Sequence, residues 1–198
     1  MSKYGHRTHN WFEAIVNKLG GEERAEAFLR GELEVRVTER FFPVWKTVLL
    51  GTGLRTADDF RLALRNGGHQ ISPWANDLLG KHVFKASEIE MEVDLVSATV
   101  AELGFPNGAT RENIYKRAQE LGLRLCPPEV GPQLRLQYTD QPLGEWLLIG
   151  MKPITDSDGS LKVFSVELDA DGSWLDSHYA RLGRVWRGSY RWVFVRGK

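Results

Sequence analysis

The sequence has a single cysteine, Cys126, among its 198 residues. One cysteine cannot form an intramolecular disulfide, which excludes the covalent staple of small secreted domains, so packing must stabilise the fold. Cys126 precedes two prolines in an apolar run, with no basic neighbour or helix N-terminus to favour its thiolate. We therefore expect an inert, buried side chain and not a nucleophile.

The sequence also lacks the apolar runs that carry a chain into a membrane. Its first residues contain no apolar segment of the roughly 7 to 15 residues that a signal peptide requires. Nowhere do the roughly 18 consecutive apolar residues of a membrane-spanning helix occur. We predict no membrane insertion and a cytoplasmic location, with display on a surface or particle by another route left open.

An excess of either charge is missing as well. Lys plus Arg and Asp plus Glu each number 26, so no net field draws the whole chain toward nucleic acid or an anionic membrane. Any such attraction must be local. Aromatic residues, in contrast, are plentiful, with seven Trp and nine Phe, which favours a bulky core or an adhesive surface.

The first part of the chain predicts a small, mainly helical module with mixed elements, over residues 1–88. Residues 10–30 have the pattern of a helical hairpin interrupted by two glycines. Thr56 and Ser72 each stand where the N-cap of a further helix is expected. Near residue 89 the pattern changes, and we predict a domain boundary there.

Residues 89–198 predict a second domain with one strand, one helix and then a run of strands, which makes the fold class α+β. Thr110 is the expected N-cap of the helix, and no helix is expected after Gly122. Strands are predicted for MEVDLVSATV and then for LRLQY, EWLLIGMKPI, LKVFSVEL and RWVFVR.

No catalytic, metal or cofactor site is predicted. DSDG at 156–159 and DADG at 169–172 resemble fragments of calcium loops, but both lie between strand candidates and are interpreted as turns. His6 and His9 could share a helix face, but no third metal ligand accompanies them. We therefore interpret the chain as a binding protein and not an enzyme.

The C-terminal segment interleaves arginines with aromatic residues. This mixture suits single-stranded nucleic acid, through stacking and phosphate pairing. It equally suits a protein-binding surface, because Tyr, Trp and Arg dominate binding hot spots, and a solvated loop before the last strand is a third alternative. Residues 175–191 contain no Lys, Glu, Gln or Met.

The segments GATRENIYKRAQELGLRL, GEWLLIGMKPI, LKVFSVEL and YRWVFVRGK resemble the entry helix and core strands of the C-type lectin fold. More closely, VFSVELDADGSWL, a polymorphic stretch around a Trp and the terminal RWVFVRGK resemble the cassette of variable proteins of diversity-generating retroelements. The resemblance covers residues 89–198. The disulfides of animal lectins and the Asn-rich stretches of many relatives are absent.

In such proteins a reverse transcriptase rewrites template adenines, and AAC codons become NNC codons, which cannot encode Lys, Glu, Gln, Met or Trp. The resemblance implies a ligand-binding domain, without cofactor, whose diversified residues recognise a protein or another surface ligand. Trp174, Trp186 and Trp192 would be fixed. The positions implied to vary are Asp176, His178, Tyr179, Arg181, Gly183, Arg184, Arg187, Ser189 and Tyr190.

Two alternatives accompany this hypothesis. A nucleic-acid-binding accessory protein would use the same basic and aromatic segment, although nucleic acid is the less favoured partner. An enzyme of the formylglycine-generating type shares the lectin-like fold, but its chemistry depends on cysteines, and Cys126 stands alone. The binding hypothesis further predicts that Asp176, Tyr179, Arg184 and Tyr190 are exposed on one side of the molecule.

Overall fold

The computed structural model describes residues 9–33 and 42–197, with side chains from residue 12 onward. His6 and the side chain of His9 lie outside this description. Contacts divide the chain into two compact units, residues 1–40 and 41–198. The architecture is mixed α+β, as the order of elements in the sequence predicts.

The first unit contains the helical hairpin that the sequence predicts. Its helices are α1 (His9–Leu19) and α2 (Glu22–Leu29). Gly20 and Gly21 separate them with φ values of 97° and 105°, a region that side-chain-bearing residues rarely adopt. Glu22 and Glu23 begin α2, where acidic side chains favour the positive end of the helix dipole.

The second unit is built on one curled sheet with helices on both faces. Its helices are α3 (Ala57–Asn66), α4 (Pro73–Leu79), α5 (Arg111–Glu120) and α6 (Val130–Gln137). Its strands are β1 (Lys46–Leu50), β2 (Gln70–Ile71), β3 (Met91–Thr99), β4 (Ala109–Thr110), β5 (Leu123–Arg124), β6 (Trp146–Ile149), β7 (Ile154–Thr155), β8 (Leu161–Asp169), β9 (Gly172–Tyr179), β10 (Val185–Trp186) and β11 (Arg191–Arg196).

The strands of the main sheet follow the order β1-β3-β11-β6-β8-β9-β2. β6 is parallel to β11, and β2 is parallel to β9, whereas the other neighbours on this path are antiparallel. β5 and β7 are short additions on β11 and β8. β4 and β10 form a separate two-stranded ribbon.

The predicted boundary between residues 88 and 89 is wrong, because it falls inside the second unit. β1 pairs with β3 along its whole length, and β2 extends the opposite edge of the sheet. Phe60, Leu64 and Leu78 are fully buried in the same core as the later strands. Residues 42–88 therefore supply both edges of the sheet and part of its helical cover.

The helix starts that the sequence predicts are confirmed. Thr56 and Asp59 form a reciprocal capping box at α3. The Ser72 hydroxyl caps α4 by accepting from Ala75 N, and Pro73 takes the first helical position. Thr110 caps α5 in the same way. Among the described residues, no helix is long and apolar enough to cross a membrane.

The strand predicted for LRLQY is wrong: its first four residues form the second half of α6, and Tyr138 is the C-cap of that helix. Leu134 is fully buried there, and Gly131 packs so closely on the Phe164 ring that an added Cβ would lie 2.8 Å from Phe164 Cβ. The Gln137 side chain accepts from Leu49 N and donates to Leu49 O, both at 2.8 Å. α6 thus caps the free edge of β1 with a side-chain amide.

Candidate functional site

The hairpin of β8 and β9 carries the first predicted site residues. Asp169 pairs with Gly172, and the Asp169 carboxylate accepts from Asp171 N at 2.9 Å, which confirms the turn predicted for DADG. DSDG is a turn as well, since Asp156 Oδ1 accepts from the backbone N–H groups of Asp158 and Ser160. Each carboxylate is used to fix a local turn.

Strand alternation divides the predicted positions on β9 between two faces of the sheet. Asp176 and His178 pair with Ser165 and Val163, whereas Tyr179 pairs with Lys162. Because neighbouring side chains on a strand point to opposite faces, Tyr179 lies on the face opposite to Asp176 and His178. The prediction that Asp176, Tyr179, Arg184 and Tyr190 are exposed on one side does not hold for Tyr179, and the other three side chains are half-buried.

Asp176 and His178 belong to what we name the aromatic–acidic face, which comprises Trp146, Glu167, Trp174, Asp176 and His178. The strand register joins these residues across β6, β8 and β9. The Trp146 and His178 rings lie 5.8 Å apart, centre to centre. Trp146 is 48% exposed and Asp176 is half-buried, whereas Glu167 is buried, so the face offers solvent an indole beside one carboxylate.

A short polar network underlies this face. Glu167 Oε1 accepts from the Ser165 hydroxyl at 2.6 Å and lies 3.1 Å from His178 Nε2. Burial by itself would raise the pKa of Glu167, but the hydrogen bonds from His178 and Ser165, together with the charge of His178, bring that pKa below its ordinary value. Glu167 therefore holds the imidazole of His178 in place as an ionised carboxylate.

The network makes stability depend on pH in a defined direction. A carboxyl group whose pKa is lowered in the folded state stabilises the fold above its ordinary pKa, which is 4.5 for Glu167, and this contribution is lost on acidification. We expect Glu167→Gln to be less stable than the wild type at pH 7, with the difference shrinking as pH falls below 4.5. Urea denaturation at a series of pH values measures this difference; a constant gap would contradict the account.

Residues 180–190, which we name the recognition loop, connect β9 to β11 above a buried aromatic base. Trp186 is 1% exposed, and its ring centre lies 5.0 Å from Trp192 and 5.4 Å from Tyr190. Position 188 has room for glycine only, because an added Cβ would clash with the backbone oxygen of Pro106. The loop is therefore anchored by aromatic packing and by one close backbone approach.

Two arginines of the loop cover aromatic rings. The Arg184 guanidinium lies 4.2 Å from the Trp186 ring centre and donates to Tyr179 O at 3.1 Å. Arg181 lies 4.8 Å from the Tyr179 ring centre. Both contacts have the geometry of cation–π pairs, which stabilise by roughly 0.5–1 kcal/mol at exposed sites.

The remaining predicted positions lie in the open part of the loop. Arg181, Gly183, Arg187 and Ser189 are exposed. Gly183 has a φ of 74° with no atom within 4 Å of an added Cβ. A side chain therefore has room at position 183, but this backbone conformation strains any residue other than glycine, with Asn and Asp strained less than β-branched residues.

On the opposite face, Tyr179 closes a buried cation site that sequence reasoning missed. The Lys162 ammonium lies 3.9 Å from the Trp74 ring centre and 4.0 Å from the Tyr179 ring centre. Asp156 Oδ2 lies 3.6 Å from it, and both side chains are 1% exposed. Lys162 is the second residue of β8 and lies between apolar neighbours. No local sequence pattern indicates which aromatic rings contact it.

Groups with catalytic potential are held in structural roles. Cys126 is buried, as the sequence predicts, with its Sγ 3.4 Å from Val193 O, and burial raises the pKa of its thiol far above the ordinary value. Glu167, and not His178, contacts the Ser165 hydroxyl, so this trio differs from a nucleophile–base–acid relay. Among the described residues, no His, Cys, Asp and Glu side chains cluster in the number that a metal site needs.

Comparison with known proteins places no further constraint on this site. No protein family, curated protein or solved structure matches the chain.

Proposed function

We propose that the chain is a ligand-binding protein with a C-type lectin-like second unit, which displays diversified residues toward a protein ligand in the manner of retroelement variable proteins. The recognition surface consists of the aromatic–acidic face and the recognition loop. The observation that carries the proposal is the contrast within that loop. Trp186 is almost fully buried at its base, while Arg181, Gly183, Arg187 and Ser189 are exposed above it.

The arrangement of the resembling segments supports the lectin-like part of the proposal. The segments that resemble core strands form β6, β8 and β11, which are contiguous in the sheet as β11-β6-β8. The segment that resembles the entry helix forms α5, whose Tyr115 packs edge-on against Trp192 and Phe194 of β11. The helix thus packs on the β11 part of the sheet.

Physical reasoning supports recognition of a protein ligand. The exposed indole of Trp146 and the exposed Arg181 and Arg187 are residue types that dominate binding hot spots. A surface held by a buried aromatic base is preorganised, so binding costs less conformational entropy. Replacing exposed loop residues changes the ligand contacts without changing the core, which is what a diversified protein requires.

The nucleic-acid alternative receives less support from the same contacts. The ring faces of Trp186 and Tyr179 are covered by Arg184 and Arg181, so these aromatics are not free to stack on bases. Glu167 and Asp176 add negative charge to the adjoining face. We expect no binding of single-stranded DNA or RNA at low salt; tight binding that weakens steeply with added salt would instead favour a nucleic-acid partner.

Sequencing tests the mechanism of variation. In sister copies of the gene we expect differences concentrated in the codons for residues 175–191, with the Trp186 codon unchanged, and an adenine-rich near-copy of that stretch beside a reverse transcriptase gene. Differences spread evenly along the gene, without such a near-copy, would contradict the proposal.

A further inference from the structure

A recess opens at the edge of the sheet, where β2 pairs with β9. Its volume is about 610 Å³, within the range of small-molecule pockets. Ile71, Pro73 and the indole of Trp174 form its apolar walls. Trp174 lies two residues before Asp176 on the same face of β9, so the recess adjoins the aromatic–acidic face.

The polar groups of the recess are mainly hydrogen-bond donors. Arg65, His69, Gln70 and Asn76 line it, and no Asp or Glu does. Gln70 is the exception, because its amide NH₂ already donates to Asp171 O. Asn76 Oδ1 already accepts from Arg61 Nε at 2.6 Å, which leaves the amide NH₂ of Asn76 as the available group. Within residues 9–33 and 42–197, Trp174 Nε1 is a buried donor without an acceptor.

Arg65 supplies the charge of the recess. No ion pair or hydrogen bond of its side chain occurs among the described residues. Burial and the nearby charge of Arg135 lower the pKa of His69, so this imidazole is neutral at pH 7 and uses Nδ1 on the Ser173 hydroxyl at 2.7 Å. The recess therefore offers one permanent positive charge, neutral donors and apolar walls.

We propose that this recess binds a small carboxylate, whose carboxyl group pairs with Arg65 and whose ring or methylene body packs on Trp174, Ile71 and Pro73. One planar guanidinium matches one carboxylate in charge and geometry. The inference goes beyond the proposed function, because Arg65, Ile71 and Pro73 lie outside both the aromatic–acidic face and the recognition loop, and only Trp174 is shared with that face. It predicts a constant site beside the diversified surface.

Nuclear magnetic resonance of the full, ¹⁵N-labelled chain tests the inference. Benzoate represents an aromatic acid and glucuronate a sugar acid, and benzamide and glucose are their neutral counterparts. The readout is the indole N–H signal of Trp174, assigned with Trp174→Phe. We expect a saturable shift with at least one acid and affinity for its neutral counterpart lower by about tenfold; which acid binds identifies the source of the carboxylate.

Matched variants make the result specific. Arg65→Gln should weaken binding of the acid by about tenfold, the usual scale for a charge-assisted hydrogen bond of roughly 1.4 kcal/mol. Arg124→Gln, at another exposed arginine, should leave binding unchanged. Arg187→Ala should also leave it unchanged, so failure of the recess and failure of the recognition loop are separable. No saturable shift with either acid, or an Arg65→Gln affinity equal to wild type, would overturn the inference.

Discussion

Replacement of Asp156 by alanine is expected to lower the free energy of unfolding by about 3–5 kcal/mol, because it leaves the buried Lys162 ammonium without a counter-charge. Both partners are 1% exposed and 3.6 Å apart. The change also removes the acceptor for the backbone N–H groups of Asp158 and Ser160. Urea denaturation followed by circular dichroism measures the loss.

Two further variants separate the causes. Asp158→Ala alters an exposed carboxylate in the same turn and should change stability by no more than about 0.5 kcal/mol. Asp156→Asn combined with Lys162→Met should recover part of the loss, because neither charge then remains buried. If Asp156→Ala costs no more than Asp158→Ala, the ion pair is not the stabilising contact that the geometry indicates.

The ion pair bears directly on which positions can vary. Tyr179 is one of the two rings that flank Lys162, so a small residue at position 179 would open this buried ammonium to solvent or to a ligand. We therefore expect position 179 to retain aromatic residues in stable variants. Arg187 and Ser189 lack such an anchoring contact among the described residues and should vary widely.

Trp186→Ala is expected to cost about 3–5 kcal/mol, the usual loss for deleting a fully buried aromatic side chain. Trp186 is 1% exposed and contacts Trp192, Tyr190 and His178. Its deletion removes the base of the recognition loop. Arg187→Ala and Ser189→Ala, each one to three residues away, should stay within about 0.5 kcal/mol of wild type.

Comparing these variants in one denaturation series measures the division of stability between the buried frame, represented by Trp186, and the exposed surface, represented by Arg187 and Ser189. Equal losses at Trp186 and Arg187 would contradict that division. A loss at Trp186→Ala accompanied by unchanged binding of a selected ligand would also contradict it, since the loop conformation depends on this base.

Local signals in the sequence were sufficient for the capped helices and the tight turns. Thr56 with Asp59, and Ser72 with Pro73, specify helix starts through contacts within a few residues. The turn at Asp169 depends on its own neighbours as well. Such elements are predictable because the interactions that stabilise them are close in sequence.

Strands β3, β6, β8 and β11 were predicted from their apolar patterns, but other elements that depend on distant partners were not. LRLQY alternates apolar and polar residues like a strand, but Leu134 packs into the core and Gln137 bonds to the backbone of Leu49, so tertiary contacts favour a helix. The segment GSWLDSHY looks polar enough for a loop, yet β9 pairs along its whole length with β8. The boundary at 88/89 failed for the same reason, since β1 completes the sheet only through β3.

The candidate site was predictable in part. The codon argument selects exposed positions in the recognition loop without any knowledge of the sheet. It does not identify Glu167, Trp146 or Lys162, because these lie on other strands and meet the C-terminal segment only through sheet register. It also groups Tyr179 with Asp176, although strand alternation separates them.

The most direct test of the interchangeable surface is a display library in which Arg181, Arg187 and Ser189 are all encoded by NNC codons, while Trp186 and the positive-φ Gly183 are kept. We expect most library members to unfold within a few degrees of wild type, in line with small effects of surface substitutions, and binders to an unrelated protein to be selectable from it. General loss of folding, or no binder beyond the wild-type background, would contradict the account.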